Sequence, residues 1–403
     1  RWLSLAGLIV IGIIGMIWIS QVLTPGDYPV ELGRSKAQTQ PRHFLYIGDN
    51  GNEAGRLVLA ELGRPDRTIL TPEDLLVLNF EPYPLGDKVL ISAVDVEESS
   101  AATIAPQLHT VTTGILGRLS RLQRLWLGLS GSIAPGKIDL VLGSEDYQNL
   151  DFDLAPDGRT IVVQRVNSSN PADFGPWVLR DGKASPLDTE PGGEFLIGHD
   201  SQTLLMLQGQ GTALISLEPG ASDLSTSEVL NFWPESGRVF DITSDGTTFA
   251  MVNFNQNDPE QRFVETLTLA TNRGEMTELL DVTGSVINAQ FGPADKILYV
   301  LASNLLSREE YWEEPFLAAV NLETQEIIQL LRLAPQSRVS FDISPDGAVA
   351  LLEVTLFESP DEAITRFFAV SIPDPSEESL TNSPTIEPQR LPYTGLQPTW
   401  LPY

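Results

Sequence analysis

The side chains of this chain best placed to do chemistry are suited to recognition rather than to bond making. The run Arg308-Glu309-Glu310-Tyr311-Trp312-Glu313-Glu314 sets two large aromatics among four carboxylates. Aromatic faces attract cations and carboxylates offset their charge, so the pattern suits a basic partner, a sugar or a quaternary ammonium. A second run, Ile115 to Leu129, has the opposite sign. Helical spacing gathers Leu116, Leu119, Leu122, Trp126, Leu127 and Leu129 on one side and Arg118, Arg121 and Arg124 on the other, with Leu125 breaking the pattern. An apolar side with Trp opposite a cationic side is the make-up of an interfacial helix. Arg118, Arg121, Arg124 and Trp126 are therefore the expected membrane-contact residues.

Signals for catalysis are thin. There is no cysteine, which removes thiolate nucleophiles, thiolate metal sites and disulfides. The histidines, His43, His109 and His199, have no metal-ligand spacing. Asp49-Asn50-Gly51-Asn52-Glu53 alternates oxygen ligands around a glycine but lacks the full spacing of a calcium loop, and it reads as a polar turn. Propeller enzymes place acids in the central channel, and Asp151, Asp153, Asp241 and Asp342 read equally as such carboxylates or as ordinary inner-strand residues. No catalytic residue, metal ligand or cofactor is assigned.

The elements that must hold these groups come from composition and repetition. The chain has 403 residues, 42% of them hydrophobic, enough for a large core. Its net charge of −29 repels nucleic acid and excludes a general DNA or RNA role. Trp2 to Leu23 carry no charge, and as a helix they would span about 33 Å, enough to cross a bilayer core. Residues 1–24 are expected to form an uncleaved signal anchor and 25–42 a polar linker, leaving 43–403 outside the cytoplasm. A cleavable signal peptide is the alternative.

One phrase recurs from residue 43 onward: an aromatic, a short step, an Asp-Gly turn and an apolar run. It reads Phe152-Asp-Leu-Ala-Pro-Asp157-Gly158, Phe240-Asp-Ile-Thr-Ser-Asp245-Gly246 and Phe341-Asp-Ile-Ser-Pro-Asp346-Gly347. Weaker copies begin at Tyr83, Phe195 and Phe291 and place their aspartates at 87, 200 and 295. A period of roughly 40 to 50 residues marks a β-propeller blade. Each copy continues into further strands, which makes four antiparallel strands per blade, A innermost to D outermost. The terminal Pro398-Thr-Trp400-Leu-Pro-Tyr403 is a strand A with nothing after it. His43–Ile47, Arg56–Leu62 and Arg67–Leu70 suit B, C and D with nothing before them. Joined, they close the ring at seven blades, with six or eight as alternatives.

The phrase resembles the repeat of the TolB-like, PD40 class of WD40-like propellers, with Phe341-Asp-Ile-Ser344-Pro345-Asp346-Gly347 as the best match. The resemblance covers about 43–403. It implies an all-β propeller and no particular activity. TolB carries an α/β domain before its propeller where this chain has an apolar run and linker, so a Tol–Pal role is not carried over.

Antiparallel order puts A–B turns and C–D loops on one face of the ring and B–C loops and D–A links on the other. The insertion at 114–136 falls between C and D and belongs to the first face, where it is expected to lie on the bilayer. The acidic B–C loop Asn304 to Pro315 belongs to the second face, where a protein partner is expected. The function that follows is a membrane-anchored, extracytoplasmic, non-catalytic scaffold or binding module. A hydrolase or lyase using acids of the central channel is the alternative, and a subunit or assembly factor of a larger membrane complex is a third reading.

Overall fold

In a computed structural model the described residues are 42–96, 105–115, 134–143, 146–190, 192–209, 211–217, 228–234, 236–255, 260–359, 362–372 and 388–402. The repeated turn organises them. Gly86, Gly158, Ser201, Gly246, Asp295 and Gly347 adopt φ of 67°, 64°, 57°, 70°, 52° and 71°. Each donates its N–H three residues back, as Gly158 does to the Ala155 carbonyl at 2.9 Å. In the strong copies the aspartate before the glycine locks the turn: Asp157 accepts from the Arg159 and Thr160 amides at 2.7 and 2.8 Å. Two weaker copies differ from the sequence expectation. Asp295 itself takes the left-handed position, and Asp87 follows Gly86 instead of preceding it.

These turns join the first two strands of six four-stranded antiparallel sheets, and a seventh completes the ring among the described residues. Blades 1 to 6 begin with inner strands Leu75–Pro82, Tyr147–Leu154, Phe195–Ile197, Ser236–Ile242, Val286–Phe291 and Arg338–Ile343. Blade 7 takes its inner strand, Gly395–Trp400, from the C-terminal end and its others, His43–Gly48, Leu57–Glu61 and Arg67–Ile69, from the start of the domain. Phe44 pairs with Trp400 and Leu45 with Thr399, so the expected closure holds.

The strands alternate faces, and both faces are buried against neighbouring blades. Seven apolar clusters result, one in each seam between successive blades. The seam between blades 6 and 7 is aromatic: Phe44 meets Trp400 at 5.8 Å and Tyr393 at 5.7 Å, and Tyr46 meets Phe367 at 5.4 Å. Edge-to-face rings of this kind add about 0.5–1.5 kcal/mol each beyond their burial. Ring closure also removes the open sheet edge.

The expected anchor and linker, 1–24 and 25–42, lie outside the described residues except for Arg42. Among the described residues no helix is long and apolar enough to cross a membrane.

Candidate functional site

The aspartate that follows the aromatic in each phrase has a role that its sequence position did not disclose. It reaches across the seam and accepts the backbone N–H of the next inner strand. Asp153 takes Ile197 at 2.5 Å, Asp241 takes Phe291 at 2.7 Å and Asp342 takes Trp400 at 2.7 Å. The same place in the weaker copies holds Glu81, which takes Leu154 at 2.8 Å, and Gln290, which takes Ile343 at 2.9 Å. The other two seams explain themselves. In blade 3 the place is held by Leu196, and the Ile242 N–H that would face it bonds instead to Asp241 Oδ1 at 2.8 Å. In blade 1 the receiving residue is Pro82, which has no N–H to satisfy.

These carboxylates are therefore staples between blades, held where charge is costly. Burial, the largest cause in each case, pushes Asp241 up to about 7 and Asp153 and Asp342 up to about 6. Each residue keeps partial solvent contact, but the carboxylate sits among packed inner strands, and its own surroundings govern its charge. Glu81 and Asp153 hydrogen-bond each other, and burial plus the charge of Asp153 hold Glu81 well above the usual range. Asp151, the remaining candidate acid, accepts the Phe152 amide at 2.9 Å beside a bulge in its strand.

On the face opposite the Asp-Gly turns, blades 4 and 5 form a cleft of about 360 Å³. Blade 4 supplies Phe254 and Arg262, Phe263 and Glu265 from the two sides of its B–C connection, and Gly284 and Ser285 link the two blades. Blade 5 supplies Leu305, Tyr311 and Glu313. The loop expected over 304–315 is here a long hairpin: strands Ile297–Ser307 and Trp312–Asn321 leave only 308–311 as the turn. β-Branched and aromatic residues on both sides of the polar run let the ladder continue. Pairing of Leu305 with Glu313 and of Asn304 with Glu314 then sorts the side chains. Glu313 joins the cleft, whereas Glu314 turns to the other face and pairs with Arg332 at 3.9 Å.

Of the expected binding residues, the structure thus brings Tyr311 and Glu313 into the cleft and sets Arg308 at its mouth, 5.4 Å from the Phe263 ring centre. Tyr311 packs edge-on against Phe263 at 6.2 Å. Glu309, Glu310 and Trp312 are exposed at the hairpin tip. Phe254, Arg262, Phe263, Glu265 and Ser285 were not anticipated. They belong to the preceding blade, and no spacing within the Arg308 run points to them. Glu265 accepts the Val286 amide at 2.7 Å, and Glu313 accepts the Ser303 hydroxyl at 2.9 Å. Burial raises Glu265 above the usual carboxylate range and the charge of Glu313 adds to this, against the Val286 bond and Arg238.

The other expected sites resolve differently. Arg118, Arg121, Arg124 and Trp126 lie outside the described residues. The ends of their insertion are described and fall between strands C and D of blade 1, as expected. There Thr113 bonds the Gly86 carbonyl of the A–B turn at 2.7 Å. Glu53 of the polar turn pairs with Arg67 at 2.6 Å and Asp49 accepts from Thr394 at 2.7 Å, so that segment ties blade 7 together. Among the described residues no cluster of acids and histidines could hold a metal ion.

No protein-family profile matches the chain, and no curated protein matches it in sequence. Solved structures do match. Prolyl oligopeptidase B from Galerina marginata is 12% identical, with a TM-score of 0.51 over 87% of this chain and 51% of its own. An oligogalacturonate lyase from Vibrio parahaemolyticus is 11% identical, with a TM-score of 0.51 over 89% of this chain and 87% of its own. TolB from Acinetobacter baumannii is 12% identical, with a TM-score of 0.43 over 73% of this chain and 64% of its own. The chain thus spans about two thirds of that TolB and about half of the prolyl oligopeptidase. At such identities the likeness carries the fold alone. The class defined here is a seven-bladed β-propeller.

Proposed function

We propose that this propeller is a membrane-tethered, extracytoplasmic binding module whose B–C face takes a protein partner. The observation that carries this reading is the hairpin tip of blade 5 with its adjoining cleft. Tyr311 is 62% and Trp312 44% exposed, unusual for large aromatics on a soluble surface. Blade 6 carries a second long hairpin, Val349–Ser359 and Glu362–Ser371, with Phe357 54% exposed. Two adjacent projecting hairpins present apolar anchors, and those of blade 5 stand beside Glu309, Glu310 and Glu313, the composition of a recognition rim. The chain enters the ring at the opposite rim, where Arg42 pairs with Asp346 of a blade 6 turn at 2.7 Å. The tether itself rests on the uncharged run Trp2 to Leu23.

The raised carboxylates of the inner strands support a second reading, a hydrolase or lyase, because such groups suit acid–base chemistry. The staples argue for the first reading: the oxygens of Asp153, Asp241 and Asp342 already serve backbone amides.

The test is a photo-crosslinking residue placed at 312 of the full chain in its own membranes, against the same residue at 327. Ile327 is 42% exposed on an outer strand and serves as a matched control. A discrete adduct from 312 alone is expected. Equal yields at the two positions, or a turnover abolished by Asp241→Asn, would overturn the binding-module reading.

A further inference from the structure

We propose that the cleft between blades 4 and 5 is a receptor for a guanidinium or alkylammonium group, the basic side chain of a partner, and that Arg308 is its resident competitor. This rests on the B–C face being the contact face.

The cleft joins the two features that bind organic cations. Phe254, Phe263 and Tyr311 provide aromatic walls, and Glu265 and Glu313 provide negative charge. Each carboxylate spends one oxygen inside the fold, on the Val286 amide and the Ser303 hydroxyl. Neither is in an ion pair with another described residue. The second oxygen of each therefore remains for a ligand. Mutual repulsion between the two charges is relieved when a cation enters.

The chain's own arginines already show the preference. Arg262 and Arg308 both stack on Phe263, at 4.5 and 5.4 Å from the ring centre. Arg262 lies in an exposed turn two residues before the strand Val264–Thr271 and lines the cleft. Arg308 sits on the exposed hairpin turn, so a partner's basic group can displace it. A volume of about 360 Å³ is at the low end for small-ligand sites and suits one side-chain head. The net charge of −29 draws cationic partners to the surface over a range set by ionic strength.

The competitor role has a sign that a general binding surface does not predict. Removing Arg308 deletes a positive charge and uncovers the Phe263 face, so it must tighten a cationic ligand. The experiment is calorimetric titration of the full chain with L-argininamide, and with sodium acetate as the opposite-charge probe. Saturable binding of argininamide and none of acetate is expected. Glu265→Gln and Glu313→Gln each weaken it about threefold to tenfold, and Arg308→Ala tightens it by a similar factor. Glutamine keeps the oxygen that accepts from Val286 or Ser303, and unchanged thermal midpoints confirm intact variants. No argininamide binding by either wild type or Arg308→Ala, affinity unmoved by both glutamine variants, or weakening by Arg308→Ala each overturns the inference. The two readings separate cleanly. An adduct at 312 without argininamide binding removes the receptor and leaves the contact face; argininamide binding without an adduct does the reverse.

Discussion

Asp342 serves two neighbours at once. One oxygen takes the Trp400 amide at 2.7 Å and the other the Gln290 side chain at 3.0 Å. Asp342→Ala leaves the Trp400 N–H in a packed seam without an acceptor, at a cost of about 1–3 kcal/mol. Asp342→Asn keeps one acceptor oxygen and should lose less. Chemical denaturation of the two variants checks the order, and equal losses would show that the staple contributes nothing. The aspartate was visible in the phrase Phe-Asp, but its partner was not. Trp400 lies 58 positions away on the far side of the chain's closure. Sequence reasoning left Asp153, Asp241 and Asp342 open between channel acids and ordinary inner-strand residues. Their engagement with backbone amides follows from seams that form only when blades pack.

Elements were legible where the turn chemistry is strong. The blade strands fall close to their expected places because Asp-Gly and alternation carry local instructions. The hairpin over 297–321 was less legible, since acids in a strand look like a loop until a partner strand pairs with them. The cleft beneath it depends on Gly284. Its φ of 146° is open only to glycine, and a Cβ there would run into the Ser303 carbonyl oxygen. Gly284→Ala must move that backbone, and with it Ser285 and Leu305 at the cleft wall. The expected result is a loss of about 2 kcal/mol or more in stability, together with weaker argininamide binding. A variant of wild-type stability and affinity would show that the link between blades 4 and 5 does not shape the cleft.

For the whole molecule the staples set a pH dependence. Asp241, Asp153 and Asp342 titrate at about 7, 6 and 6 in the fold and at about 3.9 when unfolded. Between those values the native state binds more protons than the unfolded chain, so stability falls as pH rises through the window. The self-repulsion of a net charge of −29 acts in the same direction. Hydrogen bonds hold Asp245 below the usual range, and hydrogen bonds with the charge of Arg42 do the same for Asp346 against its burial. Their contribution is lost only in stronger acid. The thermal midpoint should therefore be highest near about pH 4 and decline until about pH 7. Combining Asp153→Asn, Asp241→Asn and Asp342→Asn should flatten the decline, and a wild-type midpoint that climbs over this range would refute the assignment.

Read alone, the chain determined its repeat and pointed to seven blades and the joining of its two ends, because those rest on periodic apolar strands and turns that act over a few residues; the count itself came from the seven sheets. It also marked Tyr311 and Glu313 as recognition residues by type. Only the tertiary structure decided that the phrase aspartates tie blade to blade, that Glu314 faces away while Glu313 faces in, and that Phe263 and Glu265 from another blade complete the cleft. Such groupings depend on distances across a seam, and those are set by packing between sheets rather than by any local preference of the residues themselves.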